Sequence, residues 1–158
     1  MDQETIDTSL LSKAIDLAAT NVADGQRPFG ALLARGEEIV AQAANTAERS
    51  NDPTDHAEIA AIRTATRLLK SERLDCLTLY TSCEPCCMCA SAIRWAGLGR
   101  VVFALAREEA EEYGFHDMVA ADVSRVILSA VPVTQVGTLG AAARAPFDTW
   151  KARQVNDR

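Results

Sequence analysis
The sequence predicts an α/β fold in which helices cover both faces of one sheet. Three observations carry this reading. Short apolar runs of strand length alternate with longer stretches whose apolar residues recur at helical spacing. A Gly36-Glu37 turn joins two of the runs, residues 29–33 and 39–43, into an antiparallel hairpin. No repeat, low-complexity stretch or change of composition divides the 158 residues. They read as one domain, 1–158, with a tail helix near 146–155.

The elements follow in order. Leu10, Leu11, Ala14, Ile15, Leu17, Ala18 and Val22 mark a first helix over 10–22, stopped by Asp24-Gly25. After the hairpin, the polar segment 45–54, with Pro53, reads as a loop. Asp55 is placed to cap the next helix, with Glu58 at its third position as in a capping box and Ile59, Ala60, Ile62, Leu68 and Leu69 for packing. Residues 74–80 form a buried strand and 81–84 a loop, after which Pro85 opens a helix that runs to Ala96 and stops before Gly97. A short strand covers 101–104. Four glutamates in 108–112 demand a solvent-facing turn or short helix, residues 119–127 are helical, 133–136 give a last strand, and 146–155 a final helix carrying Trp150.

Composition narrows the function. A hydrophobic content of 48% fits a folded globular chain. No stretch approaches the roughly 20 apolar residues of a membrane span. The acidic start MDQETIDTS lacks the positive charge and apolar core of a secretory signal, so the cytoplasm is the expected location. Four of the five cysteines fall between Cys83 and Cys89, which fits a metal site in a reducing compartment better than a disulfide framework. The net charge of -6 argues against a polyanion and for a small ligand.

Two short segments carry the chemistry: His56-Ala57-Glu58 and Pro85-Cys86-Cys87-Met88-Cys89. Together they match the HxE…PCxxC pattern of zinc-dependent deaminases. Residues three apart in a helix share a face, so Cys86 and Cys89 can meet one ion, and a helix N-terminus favours thiolates. One imidazole, His56, and these two thiols leave the fourth tetrahedral position of Zn2+ open, as catalysis requires. Glu58 is the proton carrier; as a capping-box acid it would only fix the helix start. Cys87 points away from the pair into core or supporting structure, Cys83 has a structural role in the loop, and Cys76 lies in the core. A closed structural zinc site would need a fourth ligand from Cys83 or His116.

Beyond the metal ligands, Pro28-Phe29-Gly30-Ala31, Asn45, Thr81-Ser82-Cys83-Glu84 and Gly114-Phe115-His116-Asp117 resemble the cytidine-deaminase-like superfamily, in particular its bacterial guanine deaminase branch. The similarity runs from about residue 10 to 152. It implies a three-layer α/β/α fold with a five-stranded mixed sheet. It also implies a homodimer with the active site near the subunit boundary. Position by position, it implies that His56, Cys86 and Cys89 bind zinc, Glu58 shuttles protons, Asn45 and Asp117 contact the base, and Phe29 lies beside its plane. Pro146-Phe147-Asp148-Thr149-Trp150 resembles the tail helix of that branch. Members of the branch can end in a Tyr that reaches over the pocket, whereas this sequence ends Val155-Asn156-Asp157-Arg158; Trp150 is then either the aromatic residue that covers the substrate or one that packs against the sheet.

The resulting expectation is hydrolytic deamination of a free nucleobase, foremost guanine to xanthine. Cytosine, guanosine or a related amino-heterocycle are the nearest alternatives, because contacts to the base and not the metal triad decide between them. The tRNA adenosine deaminases share the zinc motif, but the tail has only Lys151, Arg153 and Arg158 as basic groups, beside Asp148 and Asp157. A noncatalytic zinc-stabilised binding protein would have no use for Glu58.

Overall fold
The computed structural model describes residues 1–157, and Arg158 lies outside them. Helix α1 (Gln3–Ala23) leads into β1 (Gly30–Arg35) and β2 (Glu38–Ala44), followed by α2 (Ala47–Ser50) and α3 (Ala57–Leu69). Then come β3 (Thr78–Cys83), α4 (Cys87–Ala96), β4 (Arg100–Leu105), α5 (Arg107–Glu111), α6 (Ala121–Ile127), β5 (Val133–Gln135) and α7 (Gly140–Asn156). The five strands form one mixed sheet in the order β2-β1-β3-β4-β5. β1 is antiparallel to β2 and β3, while β4 runs parallel to β3 and β5.

Strand alternation sorts the core into two layers. Ala31, Leu33, Leu79 and Val101 pack with Ala57, Ala61 and Ala65 of α3 and with Ala90 and Ile93 of α4. Leu32, Ala34, Tyr80, Val102 and Ala104 face the opposite way, onto Leu10, Leu11 and Ala14 of α1 and onto Ala143 and Phe147 of α7. The predicted three-layer α/β/α arrangement is therefore present.

Several boundaries differ from the sequence reading, each for a local reason. α1 starts two turns early because the Asp2 carboxylate accepts the Thr5 N–H at 2.8 Å and because Asp7 continues the buried stripe where an apolar residue is expected. Asp7 is stabilised there by a two-pronged pair with Arg100 (2.7 and 2.6 Å) and by the Tyr80 hydroxyl at 2.9 Å. The 45–54 loop contains the single turn α2. β3 is shifted toward the cysteines: Leu74 and Leu77 are buried ahead of the strand, and polar Thr81 and Ser82 belong to it. α7 begins at Gly140, not at Pro146, since the run Ala141-Ala142-Ala143 propagates a helix that tolerates the proline's missing donor.

Register brings one end of the sheet together. Gly30 pairs with Ala44, Ala31 with Thr81, and Cys83 with Leu105, so the start of β1 and the ends of β2, β3 and β4 meet at one edge. Gly30 is required there: a Cβ would collide with the Ala14 carbonyl and stand 2.7 Å from the Ala18 nitrogen. The next residues beyond this edge are Phe29, Asn45, Glu84 and Ala106. Crevices at the carboxyl ends of parallel strands are where α/β folds place ligands.

Candidate active site
Two helix starts face each other at this edge. His56 is the N-cap of α3 and Cys86 the N-cap of α4, each with extended backbone. The predicted Asp55 cap is not present. Asp55 instead accepts the Thr46 hydroxyl at 2.6 Å and an Arg63 Nη1–H at 3.2 Å, and no side chain caps α3. His56 Nδ1 lies 3.5 Å from Cys86 Sγ and 3.6 Å from Cys89 Sγ, and the three ligand atoms fall within 4.8 Å of one another. A tetrahedral zinc with ordinary bond lengths needs such donors roughly 3.5–3.8 Å apart. These residues fit the ion without rearrangement. Neither Cys83 nor His116 joins the cluster, so no fourth protein ligand closes it among the described residues.

The two thiols of the group are shifted in opposite directions, Cys86 down and Cys89 up. Hydrogen bonding to Cys89, followed by His56, holds the Cys86 thiol down to about 4, and the Cys89 N–H reaches Cys86 Sγ at 3.5 Å. The Cys86 partner in turn raises His56, against its burial. Glu58 is 5% exposed, and burial followed by the Cys86 charge pushes its carboxyl up. Its Oε1 stands 3.0 Å from the Thr81 hydroxyl, and the Cys89 thiol donates to Oε2 at 3.5 Å. Glu58 thus points from the first turn of α3 at the metal group and not back at the helix as a cap.

His56, Glu58 and Cys86 line one side of a cavity of about 430 Å³, while Cys89 and Thr81 are buried outside its lining. Asn45, Phe29 and Asp117 line its other sides. Asn45 is fixed by its main chain: its N–H donates to the Phe29 carbonyl at 3.1 Å, and its own carbonyl accepts from Asn21 at 2.8 Å. The Asn45 Oδ1 accepts the Ala47 N–H at 3.2 Å, which directs the amide NH2, without a partner among the described residues, toward the cavity. Asp117 accepts the Cys87 N–H at 3.0 Å and the Cys87 thiol at 3.4 Å, so its loop is tied to the helix start that carries the metal-facing cysteines. Phe29 meets Phe115 and Phe147 edge-on at 4.9 and 5.2 Å.

The model for the cytidine and deoxycytidylate deaminase zinc-binding region matches residues 4–105. The chain belongs to this zinc-binding deaminase family. The family member is 44% identical over 118 residues to the guanine deaminase of Bacillus subtilis, an alignment covering 74% of this chain and 73% of that one. The crystal structure of that protein superposes with a TM-score of 0.68 over the same shares. A structure of guanine deaminase from Nitrosomonas europaea superposes with a TM-score of 0.83 at 27% identity, over 90% of this chain and 83% of that one. A tRNA-specific adenosine deaminase of Buchnera aphidicola (strain Bp) is 36% identical over 68% of this chain and 66% of its own length.

Trp150 is set back from the cavity, and Cys76 and Cys83 lie elsewhere than the sequence places them. Trp150 does not line the cavity; its ring packs on Phe115 at 4.6 Å, one side chain removed. Cys87 takes the supporting position and not the core one, half-buried on the cavity wall, where Asp117 accepts from both its N–H and its thiol. Cys76 is exposed, since the turn before β3 carries it outward. Cys83 sits inside β3 and not in a loop, where burial raises its thiol to about 12. The sequence reading has Thr81 and Glu84 only as carriers of the resemblance, without a role, and it missed Arg107. Thr81 was hidden by the misplaced end of β3. Glu84 accepts the Arg107 N–H at 3.0 Å and a fork from Arg125 at 2.7 and 2.8 Å. No spacing rule separates it or Arg107 from ordinary surface charges.

Proposed function
We propose that this protein, acting as one domain over residues 1–158, hydrolyses guanine to xanthine and ammonia. The observation that carries the reading is the placement of Glu58 beside the His56–Cys86–Cys89 group at the wall of a base-sized cavity. The 44% identity to a guanine deaminase supports guanine as the ring. His56, Cys86 and Cys89 would hold zinc, which when bound supplies a Lewis acid able to bring the pKa of water toward neutrality. Glu58 accepts a proton from the water that adds to C2 and delivers it to the neighbouring ring nitrogen. A second transfer to the amino group lets it depart as ammonia. Its raised carboxyl suits both acceptance and return of a proton. The free Asn45 amide and the Asp117 carboxylate orient the base, while Phe29 packs beside its plane.

Two features speak against the tRNA reading. Arg153 donates to the Val22 carbonyl at 2.6 Å and Lys151 lies over the Tyr113 ring, so these tail cations serve the fold; Arg158 lies outside the described residues. The protein is also acidic overall.

The second copy of the chain is the partner we infer for the exposed apolar residues of α4 and α6, where Trp95 is 86% exposed and Val126 71%. Among the described residues, no helix is long and apolar enough to cross a membrane. Five free cysteines, two of them metal-facing, suit the reducing cytoplasm.

Ammonia release by the zinc-loaded protein from guanine, guanosine, cytosine, adenine and a tRNA anticodon stem-loop tests the substrate. Turnover confined to guanine is expected. Preferred turnover of another member would keep the chemistry and replace the substrate. Light scattering of the purified protein tests the dimer, which fails if the mass is that of one chain.

A further inference from the structure
Arg107, the first residue of α5, is the unexplained charge of this site. Its residue exposure is 6%, yet it takes part in no ion pair among the described residues. Its Nε is buried without a hydrogen-bond partner. One Nη2–H reaches the Phe115 carbonyl at a long 3.4 Å, and Nη1 has no protein acceptor among the described residues. The Arg107 main chain is fixed independently, by its N–H on the Glu84 carboxylate. A buried guanidinium with idle donors costs several kcal/mol relative to a paired or solvated one. Packing alone would be served better by an apolar side chain of similar length.

The same residue lines the cavity that holds Glu58, Asn45 and the metal-facing group. Glu58, Asp117 and Cys86 all bear on its charge, as does Cys83. It is therefore the one guanidinium of the cavity without a carboxylate partner among the described residues, since Arg27, the other, pairs with Glu48. A guanidinium fork matches an oxo group flanked by a ring nitrogen, the pattern that the six-membered ring of an oxopurine shares with its five-membered neighbour.

We propose that Arg107 determines specificity by donating hydrogen bonds to the oxo group of a 6-oxopurine while the 2-amino carbon faces Glu58. This assignment rests on the nucleobase reading above. It predicts that aminopurines lacking the oxo group lose the benefit of Arg107, because its donors then face a C–H or another donor.

Binding of unreactive bases separates this assignment from the deaminase reading. Calorimetry on the zinc-loaded protein compares hypoxanthine, which carries the 6-oxo group, with purine, which does not. The wild type is expected to bind hypoxanthine at least tenfold more tightly. Arg107→Met should weaken hypoxanthine roughly 10- to 150-fold, the range for a hydrogen bond to a charged group, and leave purine within threefold. Arg107→Lys should recover part of the difference. Equal binding of the two bases by the wild type overturns the proposal, whatever the variants do. Equal weakening of both bases in Arg107→Met also overturns it and makes Arg107 an anchor of the Phe115 segment. Absent guanine turnover with an intact hypoxanthine preference would remove the substrate assigned above and leave Arg107 standing.

Discussion
The part of the chain matched by the family model, 4–105, and the part that follows it, 106–157, contribute to the same cavity by different physics. The first supplies His56, Glu58, Cys86 and Cys89 from two helix starts seated on the central strands β1, β3 and β4, with hydrogen bonds and buried side chains on every side. The second supplies Arg107, Phe115 and Asp117 from one short helix and a loop, beyond which β5 is only three residues long. A few polar ties hold that wall: Asp117 to Cys87, Arg107 to the Phe115 carbonyl, and Arg125 to Glu84. Rigid sheet-borne groups suit a metal and a proton carrier, whose geometry tolerates little error. A loop-borne wall suits recognition of one ring among several.

The largest effect should come from the first region. Cys89→Ser is expected to lose bound zinc, measured by elemental analysis, and with it all detectable deamination. Full metal content with activity near wild type would break the assignment of the cluster. In the second region, Asp117→Ala should retain zinc and reduce kcat/KM for the preferred base by roughly 10- to 150-fold, the worth of a charged hydrogen bond. A loss of zinc in this variant would show that the two regions are not separable.

A charge network at the other end of the sheet sharpens the contrast from the side of stability. Burial pushes the Asp7 carboxyl up, but hydrogen bonds from Arg100, Gln3 and Tyr80 outweigh it and hold it below its ordinary value. The stabilisation is thus complete above the unfolded pKa, about 3.9, and is lost as pH falls through the lower folded value. Asp7→Asn should lower the stability at pH 7 by roughly 3 kcal/mol and lower Tm by about 10 °C. It should also flatten the acid limb of the Tm–pH curve and leave kcat within twofold. An unchanged acid limb would show that another group carries it. The smallest effect is expected at Trp150: with its ring on Phe115 and off the cavity wall, Trp150→Ala should change KM by less than threefold, read from initial rates. A loss of tenfold or more would return Trp150 to the substrate.

The same division explains what could be read from residue order. The chemistry of 4–105 is written in local spacing, because a metal demands fixed ligand types, and helix starts at His56 and Cys86 place them. The core stripe of α1 and the β1–β2 hairpin were legible for the same reason, as periodicity. Asp7 was not, because a charge in a buried stripe breaks the period and its partners, Tyr80 and Arg100, lie far along the chain. Thr81 and Ser82 disguised the end of β3, since polar residues in a strand are explained only by Glu58 and by the Gly30 N–H, which Ser82 accepts at 3.1 Å. In 106–157, Asp117 was reachable by resemblance alone, as Phe29 was in the first region. Arg107 had no local signature, because its meaning lies in the absence of a carboxylate partner among the described residues.

The central claim is that the Glu58 carboxylate drives hydrolysis of guanine beside a zinc-loaded centre. Guanine incubated with the zinc-loaded protein in ¹⁸O-labelled water, followed by mass spectrometry of the purine product, tests it most directly. The account predicts xanthine carrying one solvent oxygen, with one ammonia released per xanthine, and a rate lower by 10²- to 10⁴-fold in Glu58→Gln at equal zinc content. Unlabelled product, no xanthine, or an undiminished rate in Glu58→Gln would contradict it.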